Sequence, residues 1–222
     1  TEYRKLSSDY QKLAATFHFR TCYSILMPPK KFYENAINHL YQEELGEIIT
    51  DDKNIFEELQ QLYAGNPDIL SKIRFYENDA ISLGTLYSFE TQIQRAISER
   101  VWMKSGAYLI IQPTEALTVI DVNSGKNTSG KNAEEYYYKI NLEAAAEISR
   151  QLRLRNISGI VIVDFINMAK EEQRKELMHQ FRLSLKEDPV PVRLVDITKL
   201  GLVELTRKKE RKTLLEQVAQ LR

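Results

Sequence analysis

Polar side chains with metal-binding potential stand at the ends of two apolar stretches of this sequence. Residues 116–122 form a short, largely β-branched run that delivers Asp121 and Asn123. A second run, residues 160–163, delivers Asp164 in the same way. In open α/β sheets, ligands collect at the carboxyl ends of the strands. Two carboxylates and an amide at such a place suit one hard cation and a phosphate group.

The alternation of side chains along a strand decides which of these groups can act together. Asp121 and Asn123 are two residues apart, so they share one face of their strand, while Ile120 and Val122 share the other. An ionised Asp164 after four aliphatic residues is costly unless it is paired or bound to a cation. Either acid alone is better explained as the cap of a turn. The two together, with Asn123 and a glycine-containing loop, favour a metal site.

Magnesium is the cation that this donor set favours. It takes oxygen ligands, keeps several waters and is often held by one or two carboxylates together with a substrate phosphate. Such an ion polarises a phosphodiester and lowers the pKa of a bound water. The prediction is that the carboxylates of Asp121 and Asp164 converge closely enough to share one ion. A nucleophile with a histidine base is not evident, which argues against acyl transfer.

Basic residues further along the chain are candidates for binding the backbone of a nucleic acid. The loop 124–131 contains glycines, hydroxyls, Lys126 and Lys131 and opens onto a predicted helix, an arrangement that favours phosphate. It lacks the spacing of a P-loop, and a solvated polar loop explains it equally well. The basic run that begins at Arg207 is open to two interpretations, an RNA contact and a solvated charged face.

Composition narrows the class of protein. The 222 residues are 43% hydrophobic and 28% charged, enough to bury a core, and the formal net charge is zero. Zero net charge excludes a purely electrostatic nucleic-acid binder but not local basic patches. The only cysteine, Cys22, excludes an internal disulfide and a cysteine-rich zinc site, so we expect a reducing, cytoplasmic setting. No apolar run approaches the roughly 20 residues of a membrane span.

The spacing of apolar residues predicts alternating helices and strands. Helices are predicted over residues 2–17, 28–45, 52–63, 83–100, 133–155, 170–187 and 207–222. Strands are predicted over residues 47–50, 72–76, 107–112, 116–122, 160–163, 192–197 and 202–205. The third and fourth strands predict a hairpin, and the strand, helix and strand that follow predict a parallel crossover. The predicted fold class is therefore α/β, with a mixed sheet of α+β character. In the helix over 83–100, the residues predicted to face inward are Leu86, Phe89, Ile93, Ala96 and Ile97.

Several blocks of this sequence, taken in order, carry a family resemblance. They are residues 114–124, 141–148, 150–155, 159–166 and 201–207. In this order they resemble the catalytic region of the ribonuclease E/G family. The likeness is strongest from about residue 71 to residue 212 and weakens before residue 33.

The resemblance implies an endoribonuclease that hydrolyses phosphodiester bonds in single-stranded RNA, in RNA processing and decay. It implies that Asp121 and Asp164 hold the catalytic magnesium, and that Asn123 orients the acids or the scissile phosphate. Single-stranded RNA is the implied partner. Whether the full-length protein forms a homo-oligomer is left open. Two alternatives remain: another metal-dependent phosphoesterase, and a non-catalytic fragment for RNA binding or assembly.

The resemblance also predicts how the chain is divided. Residues 1–32 would form the helical tail of a 5′-sensor region, and residues 33–96 part of an RNase H-like subdomain. Residues 97–222 would form a DNase I-like catalytic subdomain that ends in a basic helix. The family's OB-type RNA-binding barrel, most of its 5′-sensor and its zinc link have no counterpart in these residues. Since Thr1 is not a natural start, we expect a fragment that needs the missing parts for full activity.

Overall fold

The chain forms two compact units, residues 1–83 and residues 84–222. The computed structural model describes residues 2–26, 31, 33–34, 37, 45–125 and 133–220. In these ranges no helix combines the length and the apolarity that crossing a membrane requires. The helix predicted over residues 28–45 lies mostly outside the described residues. The subdomain limits predicted from the family resemblance stay predictions.

The first unit is built around a two-stranded parallel sheet. Its elements are α1 (Glu2–Thr16), a 3-10 turn (Phe17–Phe19), β1 (Ile48–Thr50), α2 (Lys53–Leu62), α3 (Pro67–Leu70) and β2 (Ile73–Phe75). The two strands pair with Ile48 opposite Ile73. Asp52 begins α2, because its side chain accepts hydrogen bonds from the N–H groups of Asn54 and Ile55. The small core of this unit comprises Ile37, Leu45, Leu59, Tyr63, Ile69 and Ile73.

The second unit contains a six-stranded mixed sheet. Its strands are β3 (Arg100–Trp102), β4 (Tyr108–Pro113), β5 (Leu117–Asn123), β6 (Gly159–Asp164), β7 (Val192–Ile197) and β8 (Val203–Arg207). The helices from the unit boundary onward are α4 (Leu83–Leu86), α5 (Phe89–Ile97), α6 (Ala133–Leu154), α7 (Glu171–Leu185) and α8 (Leu214–Gln220). The strand order is β3-β4-β5-β6-β8-β7. Only β5 and β6 pair in parallel; the other neighbours are antiparallel, with an irregularity in β7 between Leu194 and Asp196. The predicted α/β fold with a mixed sheet is confirmed.

Alternating burial divides this sheet into a covered face and an open face. On β5, Ile120 and Val122 are buried while Asp121 is exposed, and on β6 the buried residues are Val161 and Val163. The buried side chains pack against α6 and α7, which contribute Ile140, Ala144, Ile148, Leu152, Leu177, Phe181 and Leu185. We call the other side the open face; it carries Arg100, Trp102, Tyr108, Ile110, Asp121, Asn123, Ile162 and Asp164. The crossover through α6 therefore covers one side of the sheet and leaves the acids on the other.

A buried polar hub lies at the end of α6. Asn156 has a φ of 49°, the left-handed conformation that often follows a helix. Its Nδ2 donates to the carbonyls of Arg211 and Lys212, and its Oδ1 accepts from Nη1 of Arg207. The guanidinium of Arg207 also donates from Nε and Nη2 to Asp188, and these two side chains are 3% and 1% exposed. The hub ties β8 and the segment after it to the end of α6.

The helix predicted over residues 83–100 is interrupted. Ser88 lies between α4 and α5 with a φ of 52°, and residue 100 already belongs to an edge strand that was not predicted. Of the five residues predicted to face inward, Leu86, Phe89 and Ile93 are 52%, 48% and 39% exposed. The other two, Ala96 and Ile97, are half-buried. The prediction of one continuous helix is wrong because the chain breaks at Ser88, and the inward orientation is wrong for Leu86, Phe89 and Ile93.

The C-terminal helix begins later than predicted. Arg207 belongs to β8, where it is paired with Gly159 and Val192. The helix α8 starts at Leu214, after a capping box in which the N–H of Thr213 donates to Oε2 of Glu216 and the N–H of Glu216 donates to Oγ1 of Thr213. Two hydrogen bonds from Thr213 lower the pKa of Glu216; the bond from the backbone N–H has the larger effect, and the bond from the hydroxyl adds to it.

Breaking the buried pair in the hub should destabilise the second unit. In Asp188→Ala the guanidinium of Arg207 stays buried but loses its carboxylate partner, at a cost of about 3–5 kcal/mol. We expect the urea midpoint of unfolding, followed by circular dichroism, to fall sharply. The control is Glu171→Ala, which removes an exposed ion pair with Lys175 and should leave the midpoint nearly unchanged. Equal midpoints in the two variants would show that the hub does not hold the unit together.

Candidate active site

Asp121 and Asp164 are direct neighbours in the sheet. They are register partners in the parallel pair of β5 and β6, and both are exposed. Their backbones are therefore one strand spacing apart, about 4.8 Å. Because paired residues project to the same side, both carboxylates stand on the open face. The fold thus brings together two acids that are far apart along the chain.

Asn123 belongs to the same group of side chains. Its Nδ2 donates a 2.7 Å hydrogen bond to Oδ2 of Asp121. This bond restricts the rotamer of the carboxylate and uses one of the several acceptor positions on it. Within the described parts of the chain, neither Asp121 nor Asp164 forms an ion pair with a lysine or arginine. The negative charge of both acids therefore remains for a ligand.

The acids line a cleft of about 390 Å³. The rest of its lining comes from the end of β5 and the residue after it, from the segment after β6 and from the turn before β8. These residues are Val122, Asn123 and Ser124; Phe165, Ile166 and Asn167; and Leu200 and Gly201. A larger cleft of about 1100 Å³ lies at the β3 edge of the sheet, but no acidic residue lines it. We place the chemistry in the smaller cleft, because Asp121 and Asp164 both line it.

The donor set of this cleft fits a magnesium ion. Like charges directly opposite each other in a sheet repel, and a cation between them removes that penalty. Magnesium needs only one or two protein carboxylates when waters and a substrate phosphate complete its shell. The described residues contain no cluster of three or more acidic, histidine or cysteine side chains, so a larger protein cage is not formed there. Asp121 and Asp164 are the residues that would hold the ion.

A buried amide on α6 holds the segment that follows Asp164. Asn141 is 0% exposed. Its Nδ2 donates to the carbonyl of Ile166 at 2.7 Å, and its Oδ1 accepts from the N–H of Ile166 at 3.0 Å. The side chain therefore satisfies both backbone groups of a residue that no longer belongs to β6. Since Ile166 is two residues beyond Asp164, this contact fixes where the strand ends.

The turn after β5 is packed too closely for a side chain. Gly125 has a φ of 72°, and a Cβ there would lie 2.8 Å from the carbonyl oxygen of Gly106. Gly106 belongs to the β3–β4 turn, which Glu143 of α6 holds by accepting hydrogen bonds from the N–H groups of Lys104 and Ser105. Helix α6 thus supports two segments near the acids. Asn141 holds the segment after β6, and Glu143 holds the β3–β4 turn, against which the turn after β5 packs.

The chain is similar in sequence to known proteins over most of its length. Residues 1–210 match the Ribonuclease E/G family. The chain belongs to the ribonuclease E/G family. It is 38% identical over 181 residues to ribonuclease G of Salmonella typhimurium (strain SL1344), which covers 81% of this chain and 37% of that protein. The resemblance inferred from the sequence is confirmed.

Ribonuclease E proteins are similar to this ribonuclease E/G family chain over a comparable length. The protein of Escherichia coli (strain K12) is 36% identical over 176 residues, covering 78% of this chain and 16% of that protein. The protein of Synechocystis sp. (strain ATCC 27184 / PCC 6803 / Kazusa) is 37% identical over 194 residues, covering 85% and 28%. The matched part is therefore well under half the length of these relatives.

The residues predicted to bind RNA fare differently from the acids. Lys126 and Lys131 lie outside the described residues. Arg207 is buried, 4% exposed, and donates to Asp188, Asn156 and the carbonyl of Ile157. The predicted contact of Arg207 with RNA is wrong, because its guanidinium is buried within the second unit and hydrogen-bonded there.

Sequence reasoning missed the supporting role of Asn141. The available signal was its position, since it lies three residues before Ala144 and seven before Ile148 on the buried side of α6. A polar residue among such positions indicates a buried hydrogen-bond partner. Its partner in the segment after β6 became visible only in the structure.

Removing the amide of Asn141 should loosen the end of β6. Asn141→Ala leaves the N–H and carbonyl of Ile166 without their partner, which costs about 1–3 kcal/mol. We expect a lower urea midpoint and faster amide hydrogen exchange at Ile166. Gln180→Ala, whose side chain bonds only to exposed Glu176 on the surface of α7, is the control. Exchange at Ile166 as slow as in that control would contradict the supporting role.

The facing acids should repel each other when no cation is present. Asp164→Asn removes one charge, so in EDTA it should raise the free energy of unfolding by up to about 1 kcal/mol. Added magnesium should then stabilise the unmodified chain and not the variant. Calorimetry at constant ionic strength measures both effects. Glu115→Gln, at the opposite end of β5, should keep the magnesium response; an equal response in Asp164→Asn would place the ion elsewhere.

Proposed function

We propose that this chain is the catalytic core of an endoribonuclease that hydrolyses phosphodiester bonds in single-stranded RNA, with magnesium held by Asp121 and Asp164. The observation that supports it most is the in-register pairing of two carboxylates at a cleft on the open face. Family membership adds the reaction class, because the similar proteins are named ribonuclease G and ribonuclease E. The chain matches only part of their length, so the activity of this piece is what the proposal concerns.

The roles of the individual side chains follow from their positions. Asp121 and Asp164 stand side by side on neighbouring strands, so both carboxylates project from the open face. A magnesium ion bound there would polarise the phosphodiester and lower the pKa of a bound water. Asn123 keeps one carboxylate in a single rotamer through its 2.7 Å hydrogen bond. Its amide has a second N–H that remains for a phosphate oxygen.

The choice of RNA rests on the relatives and on the polar lining of the cleft. A protein distinguishes RNA from DNA by contacts to the 2′-hydroxyl. Asn123, Ser124 and Asn167 line the cleft beside the acids and supply groups that can both donate and accept hydrogen bonds. A cytoplasmic location and a homo-oligomer of the full-length protein stay predictions from the sequence.

Replacing either acid by its amide should abolish cleavage without unfolding the chain. We expect Asp121→Asn and Asp164→Asn to lower the rate of cleavage of a labelled single-stranded RNA by about 100-fold or more, because the metal ligand is lost. Asn123→Ala should lower it less, by about tenfold, because it only orients a ligand. Gel analysis of the products gives the rates, and circular dichroism checks the fold. Glu115→Gln is the matched control.

The same assay separates the competing functions. Equal cleavage of RNA, of DNA with the same sequence and of a simple phosphodiester would indicate another metal-dependent phosphoesterase. A chain that binds RNA but cleaves none of these substrates would be a non-catalytic fragment. Full activity in both acid variants would remove the chemical basis of the proposal.

A further inference from the structure

An aromatic pair, the exposed Trp102 and the half-buried Tyr108, lies on the open face beside the acids. Trp102 on β3 is paired with Tyr108 on β4, and their ring centroids are 5.1 Å apart at an interplanar angle of 57°. Trp102 is 63% exposed, although it is the only tryptophan in the sequence and has a large apolar surface to bury. An exposed ring of this size, next to a second ring, is a surface on which a flat ligand can stack.

An arginine completes this surface. The guanidinium carbon of Arg100 lies 4.7 Å from the ring centroid of Tyr108 and 5.6 Å from that of Trp102. Among the described residues no carboxylate forms an ion pair with Arg100. Its positive charge is therefore available to an anionic ligand. The 1100 Å³ cleft at the β3 edge is lined by Arg100 and Trp102 together with residues of α5 and α6, and no acid lines it.

The register of the sheet connects this surface to the acids. Trp102 faces Tyr108, and Tyr108 faces Asn123 in the next strand. In the neighbouring row of paired residues, Arg100 on β3 faces Ile110 on β4, and Ile110 faces Asp121 on β5. One strand therefore separates Arg100 from Asp121. Two strand spacings amount to about 10 Å. A ligand that lies along the open face can therefore contact the aromatic pair and the acids at the same time.

We propose that Trp102, Tyr108 and Arg100 form a stacking subsite for an unpaired nucleobase of the RNA, next to the nucleotide whose phosphate lies at Asp121 and Asp164. This inference rests on the function proposed above and names a part of its substrate site. Aromatic rings stack on every base, and a guanidinium adds attraction to the π-face and to the backbone phosphate. In a duplex the bases are stacked on each other, so the subsite selects single strands.

The fluorescence of Trp102 tests the subsite directly, because no other tryptophan contributes. The Asp164→Asn form of the full chain, which blocks cleavage under the proposed function, is titrated with a short single-stranded oligoadenylate. We expect saturable quenching. The same oligomer with abasic positions should bind several-fold more weakly and quench little, and a blunt RNA duplex should not quench. Equal quenching by the abasic oligomer or by the duplex would overturn stacking.

Substitutions in the subsite give a second measurement. Trp102→Ala and Tyr108→Ala should weaken the binding of a labelled oligoadenylate, followed by fluorescence anisotropy, on the order of tenfold. Trp102→Phe keeps a ring and should retain most of the affinity, which also serves if the alanine variant does not fold. Leu183→Ala is the control, since this residue is 41% exposed on α7, which packs on the covered face. Unchanged affinity in all the subsite variants would overturn the inference.

The subsite and the catalytic function fail separately. If the chain cleaves RNA and the Trp102 and Tyr108 variants bind and cleave as well as the unmodified chain, the subsite is overturned and the nuclease stands. If the chain cleaves nothing but single-stranded RNA still quenches Trp102, the nuclease is overturned and the subsite stands. Fluorescence that changes with protein concentration and not with RNA would identify a protein interface and overturn the subsite.

Discussion

The parallel pairing of β5 and β6 is the constraint on which the site depends. A slip of one residue in either strand would turn its side chains to the opposite face of the sheet. Burial prevents the slip, because Ile120, Val161 and Val163 are 0% exposed, and each such side chain contributes roughly 1.5–3 kcal/mol when it is fully buried. The residues between them are the ones that reach the open face. Hydrophobic packing under the sheet therefore sets the spacing of Asp121 and Asp164 above it.

Helix α6 packs on the covered face of the sheet and also fixes the loops near the two acids. Its apolar side lies on the sheet, and polar residues along its length bind backbone groups of segments that no strand supports. Asn141 holds the segment after β6, Glu143 holds the β3–β4 turn, and Asn156 just beyond the helix holds the segment after β8. Because all of them belong to one rigid helix or follow directly from it, the segments around the two acids keep their positions relative to each other.

Much of the fold could be predicted because its signals are local. The apolar runs over residues 116–122 and 160–163 and the long helical pattern between them predicted a parallel crossover, and that crossover brings Asp121 next to Asp164. Other features depend on partners that a linear pattern does not contain. Edge strand β3 has three residues, which are too few to show a periodicity. The basic run at Arg207 resembles a solvated face in the sequence, and only the structure shows the hydrogen bond from Arg207 to Asp188. The position of Trp102 beside the acids likewise follows only from the register of β3 and β4.

The outer strands of the six-stranded sheet are poor templates for another chain. β3 is short, and β7 is irregular between Leu194 and Asp196, with the charged side chains of Arg193 and Asp196 exposed. Short, kinked and charged edges resist the addition of a further strand. The two borders of this sheet therefore disfavour edge-to-edge pairing between copies, while the open face between them carries the exposed aromatic surface of Trp102.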